Sequence, residues 1–210
     1  MCPVAGCSTG EPPDVSARLR HMLASEDASL LPAITFRAAA ETDVPAVVAV
    51  VESAYRGDSS RQGWTTEADL LDGQRTDAEE VRSLIDRPGS IVLVADMDGS
   101  PVGTCHLEKH DEDSAHFGMF AVRPGLQGAG IGRSIVNEAL SRADAWGCRE
   151  LRMAVIRQRE DLISWYGRLG FLPTGETAPF PYGDERFGRP RRNDLEFVVL
   201  SGPTRQPEQP

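Results

Sequence analysis

Val122-Arg123-Pro124-Gly125-Leu126-Gln127-Gly128-Ala129-Gly130-Ile131-Gly132-Arg133 is the stretch on which the fold turns. Ala115 to Val122, just before it, reads as a strand. After it, apolar residues at Ile131, Ile135, Val136, Ala139, Leu140 and Ala143 recur at helical spacing, which predicts a helix to Trp146 that stops at Gly147. A glycine-rich turn between a strand and an amphipathic helix exposes backbone N–H groups at a helix N-terminus. There the unpaired donors and the helix dipole favour an anion such as a pyrophosphate. With no side chains at Gly128, Gly130 and Gly132, the backbone can approach that anion closely.

Spacing separates the phosphate-binding turns. A P-loop needs Lys after its last glycine, but Ile131 follows Gly130 and the single lysine is Lys109. A dinucleotide fingerprint needs G-x-G-x-x-G, whereas Arg133 stands where its third glycine belongs, and the preceding strands form hairpins. What remains is Q-x-x-G-x-G, carried by Gln127, Gly130 and Gly132. Downstream, Ile163-Ser164-Trp165-Tyr166-Gly167-Arg168-Leu169-Gly170-Phe171 ends a helix with Tyr, polar residues, Gly and an aromatic.

The two motifs, in this order, resemble the coenzyme A loop and helix-end pattern of the GNAT superfamily of N-acetyltransferases, in a bacterial-type subgroup. The resemblance covers about residues 34 to 200. It implies a mixed, mostly antiparallel α/β (α+β) sheet of six to seven strands, splayed at a cofactor cleft and flanked by about four helices. It implies acetyl-CoA as donor and no metal, with the pantetheine arm along His116 to Val122. Cofactor contacts fall on Phe120, Ala121, Val122, Gln127, Gly128, Ala129, Gly130, Ile131, Gly132 and Arg133. Tyr166 takes the family tyrosine's role of protonating the departing thiolate, and a backbone N–H on a bulge near Phe120 to Val122 meets the oxyanion. Seven residues before Tyr166 the family often has Asn. Here Arg159 stands there, as a phosphate ligand, an acidic partner's ligand or a solvated arginine.

An amine nucleophile must lose a proton, so a base is needed. Glu108 is the preferred candidate, with Glu67, Asp184 and Glu185 as rivals. The resemblance implies that the first helix pair and the loop before the last strand, here Tyr55 to Arg75 and Pro179 to Arg192, wall the acceptor site, with Trp64, Glu67, Tyr182 and Asp184 as substrate contacts, and their aromatic and charged residues fit that role. His106, His110 and His116 are not read as a metal site, because they straddle a strand end and an acidic turn with no Cys pair to complete a set.

Composition bounds the rest. The chain has 210 residues, 22 Lys+Arg against 32 Asp+Glu and a formal charge of −10, which argues against a nucleic-acid partner. The charge is segregated: from Arg123 to Gly170 there are eight Arg and five acids, which leaves −13 for the remainder. An acidic remainder suits a cationic amine. Cys2, Cys7, Cys105 and Cys148 are too scattered for a disulfide framework. No stretch approaches the ~18 apolar residues of a membrane span, and nothing between Met1 and Ala33 reads as a basic-then-apolar secretory signal, so a cytoplasmic protein with no membrane partner is expected. Residues 1–32 read as a mobile leader with one short helix, 33–200 as the domain and 201–210 as a disordered tail.

Within the domain, Ile34 to Arg37 reads as a strand. Thr42 or Asp43 caps a helix to Tyr55, and Trp64 to Asp86 reads as a helix broken at Gly73, its second piece capped by Thr76 or Asp77. Ile91 to Met97 and Val102 to Glu108 form a hairpin about Asp98-Gly99. Leu151 to Val155 is a strand, Glu160 to Leu169 a helix, and Leu195 to Leu200 the last strand. The acceptor is expected to be a small-molecule amine. A non-catalytic acyl-CoA-binding sensor and a protein N-terminal or lysine acetyltransferase are the alternatives, and a homodimer is possible.

Overall fold

A computed structural model of the protein describes residues 33–205. The expected leader helix and the last five residues lie outside the described residues. Strand β1 (Ile34–Ala38) pairs antiparallel with β3 (Ser90–Met97), which turns back into β4 (Ser100–Lys109). The connection is a two-residue turn in which Asp98 and Gly99 have φ of 51° and 77°, the left-handed pair that matches strand twist. β5 (Ser114–Val122), β6 (Glu150–Ile156), β9 (Glu196–Pro203) and β7 (Leu172–Pro179) complete a seven-stranded sheet in the order β1-β3-β4-β5-β6-β9-β7. The last strand therefore continues to Pro203, past the boundary expected at Leu200.

Helix α1 (Val44–Tyr55) lies over β4 and β5 and buries Val44, Val47, Val50, Val51, Ala54 and Tyr55 on one stripe, in a cluster with Val92, Val94, Met119 and Ala121. Its expected cap residue Asp43 instead gives its carboxylate to Arg37 at 2.6 Å and to the Ala40 N–H at 2.8 Å. A short turn of helix, α2 (Gly57–Ser60), follows. The helix expected from Trp64 to Gly73 does not form. Thr65 Oγ1 donates to Ala54 O at 3.2 Å and Thr66 Oγ1 accepts the Ala68 N–H at 3.2 Å, so side chains compete for the backbone partners a helix would use. The segment ends in β2 (Leu71–Asp72), paired with β8 (Arg189–Pro190).

Helix α3 (Ala78–Asp86) is capped by Asp77, which accepts the Glu80 N–H at 2.8 Å. Helix α4 (Ile131–Ala145) packs Ile131, Ile135, Val136, Ala139 and Ala143 inward. Helix α5 (Glu160–Gly167) buries Leu162 and Tyr166. Cys105 and Cys148 are buried free thiols. Among the described residues no helix is long and apolar enough to cross a membrane.

Two irregularities create the site. β5 and β6 run parallel and pair only from Ser114–Glu150 to His116–Arg152, then part, so a cleft opens between the rest of the two strands. On the other edge of β5, Thr104 faces Ala121 while His106 faces Gly118, so Met119 and Phe120 bulge out opposite Cys105. Met119 sits at φ 44°, a costly backbone state for a residue with a side chain, held at the head of the cleft.

Candidate active site

The turn after β5 has the form the sequence predicts. Gly128 and Gly130 have φ of 89° and 85°, and nothing stands within 4 Å of where a Cβ would sit on either. Helix α4 begins directly at Ile131, so the N–H groups of its first turn have no intrahelical acceptor. Gln127, Gly128, Gly130, Gly132 and Arg133 line a cleft of about 670 Å³ with Phe120, Val122, Trp165 from α5 and Arg168 just beyond its end. Free N–H donors, two arginines and open space over the glycines fit a pyrophosphate. Ile131 and Ala121 are buried away from this cleft, so each can offer only backbone, and Ala129 is not among its lining residues.

Gln127 does a different job from the expected one. Its Nε2 donates to Thr65 Oγ1 at 2.8 Å and Val122 O at 3.0 Å, and its Oε1 accepts the Trp64 N–H at 2.9 Å. The amide is spent on protein groups. Arg159 grips the same loop from the other side, donating to Thr65 O at 2.9 Å and Trp64 O at 3.2 Å, with Asp161 at 3.1 Å. It is 5% exposed, neither a solvated arginine nor free to meet a phosphate.

Beyond Phe120 the donor cleft meets a second chamber of about 320 Å³, which Phe120 also lines. Tyr166 lies at this junction, 3% exposed, its ring 6.3 Å from Phe120 and 5.0 Å from Trp165. Trp165 stacks on Phe120 at 5.8 Å, and Trp64 leans on Trp165 at 5.8 Å. Burial raises the Tyr166 phenol well above 10, so it is protonated at neutral pH. Among the described residues no protein group takes its hydroxyl hydrogen bond.

The chamber lies over the splayed strands and is closed by Leu71, Phe180, Phe187 and Phe197. It opens outward into a mouth of about 640 Å³ lined by Arg75, Glu80, His106, Glu108 and His116. Ser90 Oγ donates to Leu84 O at 2.7 Å, so at its 2.8 Å contact with His106 it must accept, which puts the imidazole proton on Nε2. Burial pushes the His106 pKa down to about 4. His116 is open to the cleft, and a Cβ placed on Gly118 would come 3.3 Å from its Nε2, so the ring lies over Gly118 at the splay. The protein around it lowers its pKa, while Glu108 acts in the opposite sense.

Not all sequence candidates converge. Glu67 lines the chamber, bonded to Arg56 at 2.8 Å. Glu108 is held by Arg87 at 3.1 Å in the mouth, opposite His116 across the β4–β5 ladder, and does not line the chamber beside Tyr166. Trp64 lines the donor cleft and not the chamber. Tyr182 points elsewhere: its hydroxyl accepts the Leu195 N–H at 2.7 Å and donates to Arg192 O at 3.2 Å. Asp184 is bonded to Arg186 at 2.9 Å, outside the chamber, and neither it nor Glu185 lines that space. The loop contributes Phe180 and Phe187 instead. Arg168, which lines the donor cleft, and Arg75 and His116, which line the chamber and its mouth, were not among the sequence candidates for catalysis or binding. Arg168 was legible, since it lies two residues beyond Tyr166 within the motif. Among the described residues no group of three or more His, Cys, Asp or Glu is placed to hold a metal ion.

Residues 51–171 match the model of the acetyltransferase (GNAT) family. The chain belongs to that family. It is 30% identical over 146 residues to mycothiol acetyltransferase of Saccharopolyspora erythraea, covering 69% of this chain and 46% of that protein. It is 33% identical over 104 residues to the peptidyl-lysine N-acetyltransferase YjaB of Escherichia coli, covering 49% of this chain and 63% of that one. The chain thus spans less than two thirds of these curated relatives. Among solved structures, the ribosomal-protein-S18-alanine N-acetyltransferase of Escherichia coli superposes with a TM-score of 0.61 at 16% identity, over 84% of this chain and 97% of that one. The structure of yncA from Salmonella typhimurium with acetyl-CoA gives 0.58 at 18% identity, over 85% and 98%. These structural matches show a shared GNAT fold.

Proposed function

We propose that the protein is an N-acetyltransferase that moves the acetyl group of acetyl-CoA to the primary amine of a small molecule by direct attack. The observation that carries the reading is the meeting of two clefts at Phe120, one suited to a pyrophosphate and one lined by both aromatic and charged side chains, with Tyr166 lining the second and packed beside Phe120. Acetyl-CoA would lie with its phosphates over Gly128 to Arg133 and its thioester at the bulge.

The amine nitrogen attacks the thioester carbonyl carbon. A C–N bond forms, and negative charge gathers on the carbonyl oxygen, which the N–H groups of the Met119–Phe120 step meet outside the β4–β5 ladder. The C–S bond then breaks, and Tyr166 gives its proton to the leaving thiolate. Burial that raises the phenol raises the pKa of a thiol in the same site, so the two remain matched. His116 takes the proton the amine loses and releases it to water through the mouth, and Tyr166 regains a proton from solvent. Glu108, opposite His116, supports its basicity and replaces the direct role expected of that carboxylate.

An acetyl-CoA thiol-release screen over amino acids, polyamines, aromatic amines and aminoglycosides tests the reading. One free thiol per acetylated amine is expected. Binding of acetyl-CoA with no thiol released from any amine would favour the sensor alternative.

A further inference from the structure

The charges around the chamber point to a class of acceptor, and this step rests on the acetyl-transfer reading above. Most charged groups facing that space are engaged. Glu67 is held by Arg56, Arg159 is spent on Thr65, Trp64 and Asp161, and Glu80 accepts the Thr76 hydroxyl at 2.8 Å. In the mouth, Asp77 caps α3, Glu108 is paired with Arg87, and Arg186 with Asp184. Of the acids facing these spaces, Glu67 and Glu108 are ion-paired to arginine and Asp77 is spent on its cap, while Glu80 meets only a hydroxyl and Glu79 stands exposed at the rim of the mouth.

Arg75 is different. Among the described residues it has neither a carboxylate within ion-pair distance nor an acceptor for its guanidinium, although it lines both the chamber and the mouth. Its guanidinium lies over the face of Tyr55, 5.6 Å from the ring centroid, a contact that fixes its position while leaving its N–H groups free. Tyr55 is itself buried and donates its hydroxyl to Phe120 O, on the bulge. One phenol ring therefore separates a free planar cation from the place where the thioester carbonyl is proposed to lie. On the far side of the chamber the wall is apolar: Phe180 stacks on Phe197 at 5.6 Å, backed by buried Leu71 and Ile156.

We propose that the acceptor is an amine bearing a carboxylate within a few bonds of the nitrogen and an apolar side group, that is, an amino acid of the leucine or phenylalanine kind. Arg75 binds the carboxylate through its fork of donors, the Phe180–Phe197 wall receives the side group, and the nitrogen is left directed at the bulge. A polyamine or a simple alkylamine leaves the Arg75 charge unmatched.

The test uses matched pairs in the thiol-release assay: phenylalanine against phenethylamine and phenylalaninamide, and leucine against isoamylamine, with wild type, Arg75→Met and Arg75→Lys. The amino acids are expected to exceed their uncharged partners at least about tenfold in kcat/KM, through KM. Arg75→Met should abolish that preference and Arg75→Lys should keep part of it. Calorimetry with free coenzyme A, comparing N-acetylphenylalanine with N-phenethylacetamide, reads the same site without turnover. Equal use of carboxylated and uncharged amines, or a preference that survives in Arg75→Met, overturns the proposal and leaves acetyl transfer standing. Arg75-dependent binding of N-acetylphenylalanine with no thiol released from any amine supports the anion site and overturns acetyl transfer instead.

Discussion

The Arg159 guanidinium donates to the carbonyl oxygen of Thr65 at 2.9 Å, across 94 positions of the chain. With Gln127 on the opposite side, it clamps the loop that carries Trp64 over the donor cleft. Replacing Arg159 by Gln leaves the Thr65 and Trp64 carbonyls without their donor and Asp161 without its partner. Unfolding free energy should fall by about 2–3 kcal/mol, less than for a fully buried pair because Asp161 is half exposed. Acetyl-CoA should also bind more weakly, since Trp64 and Thr65 line its cleft. Urea denaturation and calorimetry on the variant measure both, and Arg159→Lys should recover only part.

His116 sets the pH dependence of the rate if it is the base. Its pKa is held below the ordinary 6.5, so the imidazole is free to accept a proton at neutral pH and loses that capacity as pH falls below about 6.5. kcat/KM, expressed on the concentration of unprotonated amine, should be level near pH 7 and decline in acid. His116→Gln should remove that decline and lower the plateau by about 100-fold.

His106 governs stability rather than rate. Its folded pKa is about 4, against about 6.5 in an unfolded chain, so between those values the unfolded state binds a proton that the native state refuses. Stability is whole above pH 6.5 and declines as pH drops towards 4, by up to about 3 kcal/mol from this group. Denaturation at pH 7, 5.5 and 4.5 should show a shallower decline in His106→Gln, whose amide can still donate to Ser90.

Two glycines make opposite predictions. A Cβ on Gly202 would lie 2.8 Å from the buried Phe171 ring, which packs 5.9 Å from Tyr166, so Gly202→Ala should cost about 1–3 kcal/mol. Gly167, at the end of α5, has nothing within 4 Å and an ordinary helical backbone, so Gly167→Ala should stabilise by up to about 1 kcal/mol. Thermal denaturation separates the two signs.

The parts of the fold that were legible are those in which one local rule dominates. Asp98-Gly99 announced the hairpin, the apolar stripe from Ile131 announced α4, and the glycines between them announced the anion turn. β7 was not legible: Leu172-Pro-Thr-Gly-Glu-Thr-Ala-Pro179 is an exposed edge strand with two prolines and no alternation, fixed by pairing with β9. The segment after Trp64 reads as helix, but long-range partners, Ala54, Gln127 and Arg159, claim its polar groups. In the site, Tyr166 was carried by a motif. Arg75 had no such marker, because its standing depends on which carboxylates fail to reach it in three dimensions.

The most direct test of the central claim is Tyr166→Phe, measured twice on the same preparation. The Tyr166 side chain is buried beside Phe120, and among the described residues its hydroxyl is bonded to no protein group, so its loss should leave packing and the Kd for acetyl-CoA within about twofold of wild type. Thiol release at saturating amine should fall by about 10-fold to 100-fold. An unchanged kcat would contradict the account, since the departing thiolate would then take its proton from elsewhere.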